Sequence, residues 1–122
     1  MYQIRVTTRF SAAHRLRNYE GPCENLHGHN WTVTARIGSE AVDALGMVYD
    51  FKQLKRQLHG IVDAFDHKFL NEVAPFDHVN PTSENMAKFI FDSLKQRIPP
   101  PLRVMAVSVG ESENYVATYE ES

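Results

Sequence analysis

Residues 1–10, MYQIRVTTRF, decide how this chain begins to fold, because apolar and polar side chains alternate along them. The even positions carry Tyr, Ile, Val, Thr and Phe, and the odd positions from 3 to 9 carry Gln, Arg, Thr and Arg, which is the pattern of a strand with one buried face. The alternation resumes in residues 31–37, WTVTARI, before Gly38 and Ser39. Two strands paired antiparallel are therefore expected.

Two helices are predicted in the middle of the chain. The first runs over residues 51–65, with apolar residues three or four positions apart and Asp50 as its N-cap. Thr82 or Ser83 caps the second, and the three prolines at 99–101 stop it.

The tail returns to period-two alternation over residues 103–109 and 114–119, which gives the order β-β-α-α-β-β. Because strands and helices do not alternate singly, the predicted class is α+β: a mainly antiparallel four-stranded sheet with both helices packed on one face. No linker interrupts the chain, so residues 1–122 are expected to form one domain. Such a sheet has two open edges, which must be covered or paired with another subunit.

Composition excludes several classes of protein. Thirteen Lys and Arg against fifteen Asp and Glu give a net charge of -2, which argues against a domain that follows a nucleic-acid backbone. No apolar run approaches the roughly 20 residues needed to span a bilayer, and the first residues lack the apolar block of a signal peptide. The single cysteine, Cys23, cannot form an internal disulfide. A cytoplasmic protein is expected.

Three of the six histidines, His14, His27 and His29, fall around the junction of the first two strands. In an extended chain, His27 and His29 leave the same face roughly 6.5 to 7 Å apart. His14, expected just past the end of the first strand, can approach from the paired chain. An isolated His-x-His pair is often two ordinary polar residues of a strand, but three neutral imidazoles with an open fourth position are typical of a catalytic zinc site.

Cys23 precedes His27 by four residues, in a segment rich in turn-forming residues. A loop thiol beside a divalent ion can act as a nucleophile or base. It can also be the fourth ligand of a structural zinc site, or a small buried apolar residue. The sequence leaves these three alternatives open.

Other polar residues carry a weaker signal when taken singly. Asp66 and His67 follow the apolar stripe of the first helix, where a histidine often compensates the helix dipole. Glu111 is compatible with an exposed turn, and residues 80–85, NPTSEN, with a simple helix start.

Taken together, these motifs resemble the 6-pyruvoyl-tetrahydropterin synthase family, including its bacterial branch of 6-carboxytetrahydropterin synthases. The matching segments follow one another along nearly the whole chain: FSAAHRL (10–16), CENLHGHNW (23–31), GMVYDFKQLK (46–55), FDHKFLN (65–71), NPTSEN (80–85) and the region of Glu111. The family commonly has Glu-Thr where this chain has Glu111-Ser112, which keeps both the carboxylate and a hydroxyl.

The resemblance implies the tunnelling fold, in which two helices cover a four-stranded antiparallel sheet. It also implies that subunits join into a barrel, that two rings stack into a hexamer, and that active sites lie at subunit interfaces. The implied site has Zn²⁺ as cofactor, with three kinds of residue: zinc ligands His14, His27 and His29; a catalytic set of Cys23, Asp66 and His67; and pterin-binding residues Glu111, Thr82 and Ser83.

The resemblance further implies 7,8-dihydroneopterin triphosphate as substrate. The compact chain and the segments NPTSEN and GMVYDF favour the bacterial branch, which releases acetaldehyde and triphosphate and forms 6-carboxytetrahydropterin, a queuosine precursor. The alternatives are a 6-pyruvoyltetrahydropterin synthase, which only eliminates triphosphate, and a non-catalytic zinc- or pterin-binding protein. No residue is assigned to the triphosphate, since its four candidate cations are equally compatible with an ordinary surface: Arg9, Arg15, Arg17 and Lys68. His59 and His78 are expected at the surface.

Overall fold

The computed structural model describes residues 1–18 and 25–121. Two helices pack against one face of a five-stranded sheet whose strands are ordered β3-β1-β2-β4-β5. The elements are β1 (Tyr2–His14), β2 (His27–Ser39), α1 (Phe51–Val62), β3 (Lys68–Phe69), a 3₁₀ helix (Leu70–Glu72), α2 (Ser83–Lys95), β4 (Arg103–Gly110) and β5 (Val116–Glu120).

The first two strands form the long hairpin that the alternation predicts. They pair antiparallel without interruption from Tyr2 opposite Ser39 to His14 opposite His27. Both strands are longer than expected, because β1 continues through His14 and β2 begins four residues before Trp31. His14 is therefore the last residue of a strand instead of lying just past one.

The sheet has five strands, where the sequence predicts four. The additional strand is β3, which pairs in parallel with Ala12 and Ala13 of β1. The mainly antiparallel sheet with both helices on one face is otherwise as predicted. Two residues are too few to show a period, so alternation cannot reveal such a strand.

Both helices begin where their caps predict. The Asp50 side chain accepts a hydrogen bond from the Lys52 N–H at 2.8 Å, and Thr82 Oγ1 accepts one from the Asn85 N–H at 3.0 Å. The first helix ends at Val62, three residues earlier than predicted, although Phe65 is still buried. The apolar stripe thus extends beyond α1 because the turn that follows it also faces the core.

The core lies between the helices and one face of the sheet. Apolar side chains of β2 are fully buried against apolar side chains of the helices, and full burial of a Val or Ile side chain contributes about 1.5 to 3 kcal/mol. The opposite face is polar, with Thr7 bonded to Thr34 and Ser108 to Thr118. The buried face runs from this core directly into the three histidines at the end of the hairpin.

Candidate active site

The hairpin brings the three predicted histidines together at one end of the sheet. His14 faces His27 across the strand pair, and His29 lies two residues further along β2 on the same side. One ring nitrogen from each residue can be chosen so that all three lie within 4.8 Å of one another. The shared face therefore follows from strand parity, as the sequence predicts.

Two backbone carbonyls fix the orientation of two of these rings. His14 Nδ1 lies 2.8 Å from the Pro81 carbonyl oxygen, and His27 Nδ1 lies 2.7 Å from the Asn25 carbonyl oxygen. A carbonyl only accepts hydrogen bonds, so each Nδ1 carries a proton and donates it. In the neutral rings each Nε2 consequently presents a lone pair.

These lone pairs leave the cluster without an internal hydrogen bond. The Nε2 atoms of His14 and His27 are 3.0 Å apart, and His29 Nε2 is buried with no hydrogen-bond partner among the residues that the structure describes. Buried polar atoms are normally satisfied, and a cation placed among the three nitrogens satisfies all of them. The donor set suits Zn²⁺, which is commonly bound by imidazole nitrogen.

Burial favours the neutral, metal-binding form of His14 and His29. Desolvation lowers the pKa of His14, and the nearby His27 and His29 lower it further, against the opposing effects of the Pro81 hydrogen bond and of Glu111. Desolvation also lowers the pKa of His29. Trp31 holds both rings in place, with its centroid 4.8 Å from that of His14 and 5.3 Å from that of His29.

Glu111 enters the same cluster from the end of β4. Its Oε1 lies 3.7 Å from His14 Nε2, and its Oε2 lies 3.6 Å from His29 Nε2. Glu111 also lines a cavity of about 530 Å³ together with Ser83 and Tyr115. The structure thus places one carboxylate between the imidazoles and a cavity large enough for a small ligand.

The two predicted hydroxyl residues take different positions. Ser83 is buried and lines the cavity beside Glu111. Thr82 is the N-cap of α2, and its hydroxyl oxygen accepts the Asn85 N–H. Thr82 therefore has a structural role as the cap of α2, whereas Ser83 lines the cavity that a ligand would occupy.

Asp66 and His67 lie in the turn between α1 and β3. Asp66 Oδ1 accepts the Ser11 N–H at 2.9 Å and lies 3.1 Å from His67 Nδ1. The hydrogen bond from Ser11 lowers the pKa of the Asp66 carboxyl, and His67 adds to the effect. The backbone of His67 is left-handed, with φ 59°, and its N–H donates to the Ser11 carbonyl at 2.6 Å.

The His67 side chain is 81% exposed, and the residue lines a second cavity of about 590 Å³ with His29 and Lys68. The structure therefore brings His67 to a space that also borders the histidine cluster. Cys23 lies outside the described residues, so its predicted place beside the cluster stays a prediction.

The other candidate residues divide between structure and surface. The Arg17 guanidinium donates to the carbonyls of Asn71, Phe76 and Val79, which makes it a clamp between loops. His78 is 90% exposed, as expected. His59 is also at the surface, with its side chain 38% exposed, and its Nε2 lies 2.8 Å from Thr8 Oγ1 on β1.

Two asparagines that the sequence analysis missed hold the chain just after His14. The Asn71 side chain bonds to both the N–H and the carbonyl of Arg15, and the Asn80 side chain does the same with Arg17. Each amide thus imitates a neighbouring strand. Both asparagines lie in segments that match the family, FLN and NPTSEN, which is the signal that the sequence offers for them. Their partners Arg15 and Arg17 are distant in the sequence and are known only from the fold.

The sequence profile of the family described as 6-pyruvoyl tetrahydropterin synthase matches residues 3–122. The chain belongs to this family. A protein of Archaeoglobus fulgidus named putative 6-carboxy-5,6,7,8-tetrahydropterin synthase is 40% identical over 111 residues, covering 91% of this chain and 89% of that protein.

The family also contains a similar protein of Caenorhabditis elegans, named putative 6-pyruvoyl tetrahydrobiopterin synthase. It is 33% identical over 124 residues, covering 91% of this chain and 89% of the relative. The solved structure of Caenorhabditis elegans 6-pyruvoyl tetrahydropterin synthase superposes with a TM-score of 0.89 at 31% identity, covering 99% of this chain and 96% of that one. These neighbours support the tunnelling fold. No helix in the described ranges is long and apolar enough to cross a membrane.

Proposed function

We propose that the chain is a zinc-dependent 6-carboxy-5,6,7,8-tetrahydropterin synthase of queuosine biosynthesis, acting in the cytoplasm. It converts 7,8-dihydroneopterin triphosphate and one water to 6-carboxytetrahydropterin and releases acetaldehyde and triphosphate. The observation that supports this most is the convergence of three imidazoles, two with Nε2 unprotonated, beside a carboxylate that opens onto a cavity.

His14, His27 and His29 would hold the zinc. When bound there, zinc supplies Lewis-acid stabilisation of negative charge on the oxygens of the substrate side chain. The backbone carbonyls of Pro81 and Asn25 orient two of the ligands, as is usual behind metal-bound histidines.

Glu111 is the residue that recognises the pterin. Its two carboxylate oxygens can accept the exocyclic amino group and the adjacent ring N–H of the pterin, in a planar pair of charge-assisted hydrogen bonds. Ser83, in the wall of the same cavity, offers a hydroxyl to the ring. Thr82 is the second hydroxyl of this proposed pocket, in addition to its capping of α2.

Cys23 and His67 move the protons. Cys23 acts as the base that takes a proton from the substrate side chain, and His67 acts as its partner acid and base. Asp66 fixes the His67 ring through Nδ1, which leaves Nε2 directed away from the carboxylate and able to exchange a proton with substrate.

The site is completed by neighbouring subunits in a homohexamer. A catalytic His67 that is 81% exposed in the single chain needs a covering surface to exclude water. In the described part of the chain, β1 is paired on its outer side only at Ala12 and Ala13, and β5 pairs only with β4, so both edges of the sheet can join other copies.

Product analysis tests the proposal. Zinc-loaded protein is incubated with 7,8-dihydroneopterin triphosphate, the pterin product is identified by mass spectrometry, and acetaldehyde is measured by coupled reduction to ethanol. We expect 6-carboxytetrahydropterin and acetaldehyde in equal amounts. A 6-pyruvoyl product without acetaldehyde supports the alternative, a 6-pyruvoyltetrahydropterin synthase. This is the activity that the name of the Caenorhabditis elegans relative gives. Zinc binding without any turnover supports the non-catalytic alternative.

A further inference from the structure

We propose that Asn80 is a positioning residue of the metal site. It holds the backbone carbonyl of Pro81 against the imidazole of His14, and so keeps this ring in the tautomer and orientation that direct Nε2 to the metal. The inference rests on the proposed function, because it takes the histidine cluster as the zinc site. It assigns a role in metal binding to a side chain that lies behind a ligand.

The contact that has to be held is the hydrogen bond between His14 and Pro81. His14 Nδ1 donates to the Pro81 carbonyl oxygen at 2.8 Å, and both residues are buried. A neutral imidazole has a single N–H, so donation from Nδ1 leaves the lone pair on Nε2. If the carbonyl moves away, the proton can occupy either nitrogen and the ring loses the contact that aligns it. The orientation of His14 thus depends on the position of one backbone carbonyl.

The backbone of Asn80 fixes the peptide group to which this carbonyl belongs. The Pro81 oxygen and the Thr82 N–H are opposite ends of one planar peptide. The Thr82 N–H donates to the Asn80 carbonyl at 2.8 Å, and Asn85 Nδ2 donates to the same oxygen at 2.9 Å. Because proline has no N–H, Pro81 depends on these neighbours for its position. The direction of its carbonyl is therefore set from Asn80.

The side chain of Asn80 ties this turn to the end of the strand that carries His14. Asn80 Oδ1 accepts the Arg17 N–H at 2.8 Å, and Asn80 Nδ2 donates to the Arg17 carbonyl at 3.0 Å. Arg17 follows His14 by three residues. The two bonds therefore fix the distance between the strand end that carries the imidazole and the turn that carries its acceptor.

Asn71 provides a matched comparison, because its side chain forms the same pair of bonds with Arg15. It accepts the Arg15 N–H at 2.9 Å and donates to the Arg15 carbonyl at 2.9 Å. Asn71 lies in the 3₁₀ helix, however, and the acceptor of His14 lies in the turn before α2. The backbone of His14 is itself held by its pairing with His27. Weakening the clamp at Asn71 is therefore expected to cost stability without moving the acceptor.

Zinc affinity, measured by competition with a chelator, tests the proposal in two variants. Asn80→Asp keeps an acceptor for the Arg17 N–H but places an oxygen opposite the Arg17 carbonyl, and Asn71→Asp makes the same change at Arg15. Both variants add the same charge. We expect Asn80→Asp to weaken zinc binding by about ten- to a hundredfold, which is typical for loss of a partner behind a metal ligand. Asn71→Asp should bind zinc as tightly as the wild type.

Nuclear magnetic resonance of the ¹⁵N-labelled, zinc-loaded protein reports the hydrogen bond itself. The Nδ1 protons of His14 and His27 both donate to carbonyls, and the acceptor of His27 is the nearby Asn25. In Asn80→Asp the His14 proton should exchange faster with water or disappear, while the His27 proton should remain and show that the variant is folded. If Asn80→Asp does not fold, Asn80→Ser, which is shorter and uncharged, takes its place in both measurements.

Three results would overturn the proposal. The first is zinc binding by the Asn80 variant that is as tight as in the wild type, and the second is an unchanged His14 Nδ1 proton. The third is an equal loss of zinc affinity in Asn71→Asp, which would indicate a general effect of stability. If the wild type forms acetaldehyde in these cases, only this inference fails and the proposed function stands. A wild type that binds no zinc overturns both.

Discussion

Substitution of His29 by alanine should remove the stabilisation that zinc gives the protein without harming the metal-free fold. His29 lies at the edge of the core, and its Nε2 is buried with no hydrogen-bond partner within residues 1–18 and 25–121. Leaving such a polar atom unsatisfied costs about 1 to 3 kcal/mol. The metal-free variant is therefore expected to be as stable as the metal-free wild type, or more stable.

The effect of zinc on the wild type can be estimated from binding linkage. Free zinc at a hundred times its dissociation constant stabilises the folded state by about 2.7 kcal/mol. At about 2.1 cal/mol/K per residue, a chain of 122 residues melts about 10 °C higher for that free energy. Under the same conditions His29→Ala should gain only a small fraction of this shift.

Differential scanning calorimetry with and without zinc measures both quantities. The control is His78→Ala, because His78 is 90% exposed and its loss should leave the zinc shift intact. His29 is not a zinc ligand if zinc raises the melting temperature of His29→Ala as much as that of the wild type. Its buried Nε2 does not cost stability if metal-free His29→Ala melts several degrees below the metal-free wild type.

Three further perturbations concern the stability of the histidine cluster, the role of His67 and the cap of α2. Burial lowers the pKa of His14 and of His29, so the unfolded chain binds more protons than the folded chain just below pH 6.5. The free energy of unfolding of the metal-free protein, measured by urea titration, should therefore fall as pH falls through that range. The decrease should be smaller for His29→Ala. His67→Ala should lower kcat by about 10²- to 10⁴-fold while zinc content by atomic absorption is unchanged; an equal loss of zinc would instead indicate a structural role. Thr82→Ala should cost about 1 kcal/mol of unfolding free energy in urea titrations, and Thr82→Ser much less, unless the cap seen at α2 is dispensable.

The hairpin and the histidine cluster are the features that the sequence predicts best. Alternation over the first strand determines which side chains face the helices, and that parity carries through to His14, His27 and His29. The caps Asp50 and Thr82 mark the helix starts because their side chains act on N–H groups only two or three residues away. Local signals of this kind are readable without the fold.

The features that the sequence does not predict depend on distant contacts. The Pro81 carbonyl that orients His14 lies 67 positions further along the chain, and no periodicity connects the two. The strand β3 is too short to show a pattern. Phe65 lies beyond the end of α1 and is still buried, because the turn between α1 and β3 also faces the core. The contact between Glu111 and His29 likewise arises only when β4 pairs with β2.

X-ray absorption at the zinc edge reports which atoms surround the ion, and therefore whether His14, His27 and His29 bind it together. For the substrate-free protein loaded with one zinc per chain, we predict imidazole nitrogens from three histidines at about 2.0 to 2.1 Å, an additional oxygen at a similar distance, and no sulfur. Fewer than three imidazoles, or a sulfur at about 2.3 Å, would contradict it.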